Sequence, residues 1–180
     1  MGGTSESVPR RLVWGAWLLV AVPLLFLVYL FFVKGTPDRV VSNPRRLPNM
    51  AFTPDQVIRG KPGDKLFLAS QPEGVTVAVV FEDDGETGYF YACETTSGPI
   101  LDALQVYDVA AVSDRDREAE FQIGWSASGR QAILLINAHP HAVFDFEVRR
   151  GWCRSGFPPP GGEWSVEGHG WDDACLAAFR

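Results

Sequence analysis

The chain is short of the residues that carry most recognisable chemistry. It holds three histidines, three cysteines and two methionines among 180 residues. Cys93, Cys153 and Cys175 make no CxxC pair and no zinc-type spacing, which excludes the usual redox and zinc-ribbon readings. There is no GxSxG nucleophile element, no phosphate-binding loop and no dinucleotide fingerprint. No internal repeat or low-complexity stretch occurs. Basic residues are outnumbered, 16 Lys and Arg against 22 Asp and Glu, for a net charge of −6.

That deficit is unevenly placed. Residues 1–49 carry Arg10, Arg11, Lys34, Arg39, Arg45 and Arg46 against Glu6 and Asp38, a local net of +4 that leaves −10 for the remainder. An acidic domain repels phosphate backbones, so no nucleic-acid partner is expected. Charge is missing altogether from residues 12–33, the 22-residue run LVWGAWLLVAVPLLFLVYLFFV. At 1.5 Å per residue a helix of that length spans about 33 Å, enough for a hydrocarbon core of ~30 Å. Trp14, Trp17 and Tyr29 stand toward its ends, where amphipathic rings settle at the interface, and membrane helices tolerate a proline such as Pro23. A cleaved signal peptide would be shorter and end in small residues, whereas this run ends in Phe31-Phe32-Val33-Lys34. A soluble helix apolar on every side would need more cover than one small domain offers. The expectation is one uncleaved transmembrane α-helix that takes the lipid bilayer as partner. Flanking positive charges, three before it and four after, tip the following domain toward the cytoplasmic side.

The expected layout is an N-terminal flank (1–11), the membrane helix (12–33), a Pro-rich tether (34–54) and a globular β domain (55–180). Pro37, Pro44, Pro48 and Pro54 disfavour helix and make the tether a semi-rigid spacer. From Val57 onward, short β-rich runs alternate with turn chemistry. Residues 57–59 and 65–69 flank Gly60-Lys61-Pro62-Gly63-Asp64 as a hairpin. Residues 75–82 are apolar on both faces, as suits a buried central strand, and an acidic turn leads to a strand at 89–94. A strand with an irregular start is expected over 100–109, and a hairpin joins 121–125 to 131–136. The turn 137–140 precedes a strand at 142–148 with Phe144, Phe146 and Val148 on one face. Residues 151–170, with three consecutive prolines, read as a long surface loop pinned by Trp152, Phe157 and Trp164. Residues 171–180 read as a short helix capped by Asp172 or Asp173, with Trp171, Cys175, Ala178 and Phe179 along one side. The fold class is mainly β: an antiparallel sheet of hairpins with a short C-terminal helix. Two cysteines would pair in an exported domain; in a cytosolic one all three would be free thiols, the preferred reading because an unpaired exported thiol is a liability.

The segments FEDDGETGYFYA (81–92), PILDALQVYDV (99–109) and LLINAHPHAVFDFEVRRGWCRSGFPPP (134–160), with GHGWDD near the end, resemble a bacterial family, domain of unknown function 2251. The resemblance runs over residues ~70–179. It implies one intact bacterial domain and brings no activity, substrate or cofactor. Its members are mostly short soluble proteins, which makes the membrane helix an added anchor and the bacterial inner membrane the expected location.

Three constellations are candidates for chemistry. His139 and His141, with Asp145 and the more distant His169, are the residue types of a zinc or iron site, but Pro140 makes the direction of the two rings insecure and His169 lies in a Gly-His-Gly loop; ordinary turn histidines are the simpler reading. Glu82, Asp83, Asp84 and Glu86 lack the alternating oxygens of a calcium loop; they read as a solvated turn or as a partner-binding edge. Arg149, Arg150 and Arg154 surround Trp152, the composition of interface hot spots and anion sites, or of internal pairing with the acidic turn and stacking on aromatic rings. The expected function is a membrane-anchored, non-enzymatic module that recognises another protein, of the inhibitor or immunity-factor kind, through Asp83, Asp84, Glu86, Arg149, Arg150, Trp152 and Arg154. No catalytic residue, metal or cofactor is assigned. The alternative is a small hydrolase or metal enzyme built on His141, Asp145 and the acidic turn.

Overall fold

The computed structural model describes residues 53–180 except Ser97 and Pro99. The expected flank, membrane helix and nearly all of the tether lie outside these residues. Within them, no helix is long and apolar enough to cross a membrane.

Among the described residues nine strands form two antiparallel sheets: β1 (Thr53–Gly60), β2 (Phe67–Ser70), β3 (Val77–Asp83), β4 (Thr87–Glu94), β5 (Ile100–Asp108), β6 (Ala119–Trp125), β7 (Gln131–Ile136), β8 (His139–Asp145) and β9 (Arg150–Cys153). One sheet has the order β1-β6-β7-β8-β9 and the other β2-β3-β4-β5. The chain lays down β1, crosses to make the four-strand meander, and returns to complete the first sheet beside β1. The inner faces share one core, in which Phe81 stacks on Phe121 with ring centroids 5.0 Å apart and Phe90 on Phe144 at 5.2 Å. The arrangement is an antiparallel β-sandwich.

The expected β character, the antiparallel pairing and the hairpin of 121–125 with 131–136 are present. Residues 77–83 are an interior strand buried on both faces. Four expectations need correction. Residues 57–59 and 65–69 do not pair with each other: β1 bonds to β6 and β2 to β3, so the Gly60–Asp64 turn passes the chain between sheets. The strand expected from Ala142 starts at His139, because Asn137 and Ala138, with φ of 51° and 68°, form a two-residue turn matched to strand twist. It ends at Asp145, whose Oδ1 accepts from the amides of Glu147 and Val148 at 2.8 and 3.1 Å; Val148 is therefore 64% exposed instead of sharing the core face of Phe144. The long loop at 151–170 contains β9, and Phe157 is exposed instead of pinning it.

The C-terminal helix is a 3-10 helix, Asp173–Phe179, with Asp172 Oδ1 accepting from the amide of Ala174 at 2.9 Å. Three residues per turn bring Leu176 and Phe179 to one side. They pack with Trp171, Cys175 and Trp152 on Ile133, Leu135 and Val143, the outer face of the five-stranded sheet, while Ala178 is exposed.

The acidic turn is tied to the sandwich by one side chain. Asp83, 1% exposed, accepts from the Gly63 amide (2.6 Å) and the Tyr107 hydroxyl (2.7 Å) through Oδ2, and from the Gly85 amide (2.8 Å) through Oδ1. Gly88 makes room: a Cβ there would stand 2.5 Å from the Tyr107 ring. A buried carboxylate with three donors is stabilising, and its removal leaves those donors unsatisfied. Asp83→Ala is expected to lower unfolding free energy in urea by about 3 kcal/mol, against about 1 kcal/mol for Asp84→Ala on the exposed side of the same turn.

Candidate functional site

Alternation along β9 sorts its residues. Gly151 and Cys153 face inward, where a Cβ on Gly151 would collide with Phe144 and Leu104 at 2.8 and 3.0 Å. Arg150 and Trp152 therefore face outward. The Arg150 guanidinium lies 5.0 Å from the centroid of the Trp152 ring and pairs with Glu167. Immediately after the strand, the Arg154 guanidinium lies 4.2 Å from the Trp171 ring centroid, and its Nε donates to the Pro140 carbonyl at 2.8 Å. Arginine planes over indole faces are held by cation–π attraction and keep their charge available at the surface. Between strand and C-terminal turn is a cavity of about 250 Å³, lined by Arg150, Trp152, Ala174, Cys175 and Ala178 together with Asp145 and Asp172.

What fixes this face is a buried polar cluster joining β5 to the segment after β9. The Ser165 hydroxyl donates to Asp102 Oδ2 (2.6 Å) and accepts from the Gly151 amide (2.8 Å). His169, 3% exposed, contacts both Asp102 oxygens through Nε2 at 3.1 Å and the Pro158 carbonyl through Nδ1 at 2.5 Å. The carboxylate stands between serine and imidazole, and both ring nitrogens face acceptors. A nucleophilic triad needs the imidazole next to the hydroxyl with a free nitrogen to take its proton; here both ring nitrogens face other acceptors, and the carboxylate separates the ring from the hydroxyl. Burial alone would lower the His169 pKa, and the nearby Arg150 charge does so too. The hydrogen bond to Asp102, the bond to Pro158 and the Asp102 charge outweigh these, so the pKa lies above its ordinary 6.5.

Of the residues singled out in the sequence, Arg150, Trp152 and Arg154 share the outer face, whereas Arg149 is an exposed turn residue at φ 54°. Asp84 and Glu86 are exposed on the acidic turn, but Asp83 is turned inward. That turn does not meet the arginines: it joins two strands of the other sheet, and Arg150 pairs with Glu167 instead. His141 and Asp145 are four residues apart on β8, roughly 13 Å along a strand, and the acidic turn joins neither. His141 Nδ1 bonds the His139 carbonyl at 2.9 Å, and burial, together with the Arg154 charge, holds its pKa below the ordinary value. Among the described residues no group of three or more His, Cys, Asp or Glu side chains is placed to hold a metal ion. His169, expected in an open loop, is among the most buried polar residues. Asp102 and Ser165 drew no attention in the sequence, because each is 63 or more residues from its partner or stands in ordinary loop composition. All three cysteines are free.

The fold and site define a small antiparallel β-sandwich with an arginine–tryptophan face. By its match over residues 60–180, the chain belongs to the family described as an uncharacterized protein conserved in bacteria, domain of unknown function 2251. A protein of Haemophilus influenzae described as uncharacterized is 43% identical over 106 residues, covering 54% of this chain and 66% of that one. No solved structure matches.

The cluster makes stability depend on pH with a definite sign. A raised folded-state pKa contributes stability that is complete below about pH 6.5 and is lost as pH rises through the folded value. The stability difference between wild type and His169→Gln should therefore be larger at pH 5.5 than at pH 8.5. Urea melts of both proteins at the two pH values measure it, and the opposite shift of His141 cancels in the difference. An equal or growing difference at the higher pH would show that His169 is buried neutral.

Proposed function

We propose that the protein is a membrane-anchored, non-enzymatic module that recognises another protein, of the inhibitor or immunity-factor kind, through the outer face of β9 and the C-terminal turn. The observation that carries this reading is the pair of arginine–indole stacks, Arg150 on Trp152 and Arg154 on Trp171, beside a cavity large enough for a side chain. Tryptophan and arginine dominate interface hot spots because rigid apolar area and a planar donor fork lose little entropy on binding. A partner that suits the face offers an apolar side chain for the cavity and carboxylates for the guanidiniums. Asp84 and Glu86 form a separate exposed acidic edge on the other sheet, open to a second contact. Support for a non-catalytic role comes from the order Ser165–Asp102–His169, in which no nitrogen is free to act as base.

The anchor in this proposal is residues 12–33, whose 22 uncharged residues satisfy their own backbone only as a helix in lipid. The basic flanks then place the domain at the inner face of a bacterial inner membrane. Full-length protein should stay with membranes through a carbonate wash, and deletion of residues 12–33 should release it.

Binding and folding are separable by substitution. Arg154 makes no ion pair in the described structure, so Arg154→Glu should change the melting temperature little, and Arg150→Glu should cost about 1 kcal/mol for an exposed pair and a stacked ring. Both should abolish capture of the partner from native membranes, while Lys61→Glu on the turn between sheets should not. Capture that survives both arginine reversals would overturn the assignment of this face.

A further inference from the structure

Residues 155–170 lie over β5 and β9 with little apolar burial to hold them. Phe157 and Val166 are exposed, and of this stretch only Pro158, Ser165, Gly168 and His169 are buried. Trp164 supplies an aromatic anchor, half-buried and edge-on to Phe144 and Phe146 with ring centroids 6.4 and 5.6 Å away. The other ties are polar. The Ser165 amide donates to the Arg149 carbonyl at 3.0 Å, the Cys153 amide to the His169 carbonyl at 2.8 Å, and the Gln105 amide to the Phe157 carbonyl at 3.1 Å. The two buried polar side chains, Ser165 and His169, both end on Asp102 of β5. A segment with so few buried apolar contacts opens more readily than the core beneath it.

The His169 ring decides how firmly the segment closes. Nδ1 faces the Pro158 carbonyl and Nε2 the Asp102 carboxylate. A neutral imidazole has one N–H. Opposite two acceptors it satisfies one and sets its bare nitrogen against the other, which is costly at a buried site. The imidazolium donates to both. Two charged groups act on the ring from the strands it packs against, Asp102 of β5 and Arg150 of β9, and Arg150 is itself paired with Glu167 of the segment. The Cys153 thiol of β9 adjoins it through the backbone; burial raises the thiol pKa, so it carries no charge where a histidine titrates.

We infer that residues 155–170 form a proton-operated latch, closed over β5 and β9 while His169 carries both ring protons and released as a unit when it loses one. Release takes Ser165 from the Gly151 amide and Glu167 from Arg150, so the outer face of β9 loses what fixes Arg150 and Trp152. The sign follows from linkage. A closed state that holds the proton more tightly than the open one is fully stabilised below about pH 6.5, and its opening constant climbs roughly tenfold per pH unit until the closed-state pKa is passed. On the reading of that face as a recognition surface, recognition is strongest at acidic pH and weakens as pH rises. This consequence rests on that reading; the latch does not.

Amide exchange of the full-length protein, resolved by mass spectrometry and corrected for the intrinsic rate at each pH, tests the latch. At pH 8.5 the amides of Gly151, Cys153 and Ser165, which bond across it, should be protected about tenfold less than those of β6 and β7, or weaker still. Their opening constant should be about tenfold smaller or less at pH 5.5, and His169→Gln should abolish this pH dependence. Equal protection of latch and sandwich, a pH-independent latch, or a dependence that survives in His169→Gln overturns the inference. Should that variant not fold, the wild-type protein decides. The rise in latch opening must end where the His169 ring titrates by nitrogen-15 NMR, assigned by difference from His139→Gln and His141→Gln. A ring already neutral at pH 5.5, or one whose titration lies away from the end of that rise, overturns the latch. No partner enters these readouts, so they stand or fall apart from the recognition reading, which partner capture tests.

Discussion

Two sheets, each apolar on its inner side, are stable only while they share one core, and the rest of this molecule follows from that constraint. Neither Phe81 nor Phe121 can be buried by its own sheet; each is buried by stacking on the other. The sandwich is closed at both edges by contacts between sheets. At one edge the Trp125 indole donates to Ser70, which in turn donates to Asp55. At the other, the amide of Gln105 donates to the Phe157 carbonyl, and its own carbonyl accepts from Cys153 and Ser155. Exposed strand edges invite pairing with other chains, and these contacts occupy them.

That second closure explains why the arginine–tryptophan face is where it is. β9 has only four residues, too few to hold two large side chains in place unaided. Its position depends on the segment 155–170 folding back over β5, and Asp102 is the peg on which that segment hangs. Ser165, His169 and, through Ser165, the backbone of Gly151 all converge there. The cluster sits one residue from Arg150 along the chain but buried beneath it, so it positions the face without forming part of its surface.

What was legible in the sequence was whatever rests on local pattern. The strands expected over 75–82 and 89–94 and the hairpin of 121–125 with 131–136 follow from alternation and turn residues, and a cap at Asp172 or Asp173 from their place before an apolar run; the structure uses Asp172. Sheet membership was not legible. The Gly60–Asp64 turn has the composition of a hairpin, but Leu66 must fill the space beneath Gly60, where a Cβ would come within 2.5 Å of it, and that carries the chain to the other sheet. Asp83 looked like one of four solvated acids because its donors come from Gly63 and Tyr107, 20 and 24 residues away. His169 looked loose between two glycines for the same reason: its partner lies 67 residues earlier. Of the candidate site, the Arg–Trp composition was visible, while the cavity and the pairing of Arg154 with Trp171 required the chain end to fold back on the sheet.

Electrostatics connects these parts. Three of the eight arginines among the described residues find a carboxylate: Arg59 pairs with Glu120 at 2.8 Å, Arg130 with Glu147 at 3.2 Å, and Arg150 with Glu167. Arg154 is held differently, by an indole face and a backbone carbonyl, neither of which neutralises it. Such contacts fix the direction of a guanidinium without spending its charge, so a carboxylate arriving from outside meets a cation already oriented. Arg150 would have to exchange Glu167, itself largely exposed, for the incoming group, an exchange of similar pairs in water that costs little. One guanidinium is therefore without an ion pair among the described residues and the other exchangeable, and the cavity beside Arg150, lined by Trp152 and alanines together with Asp145 and Asp172, would suit, in the proposed binding role, a surface of mixed character better than a bare anion.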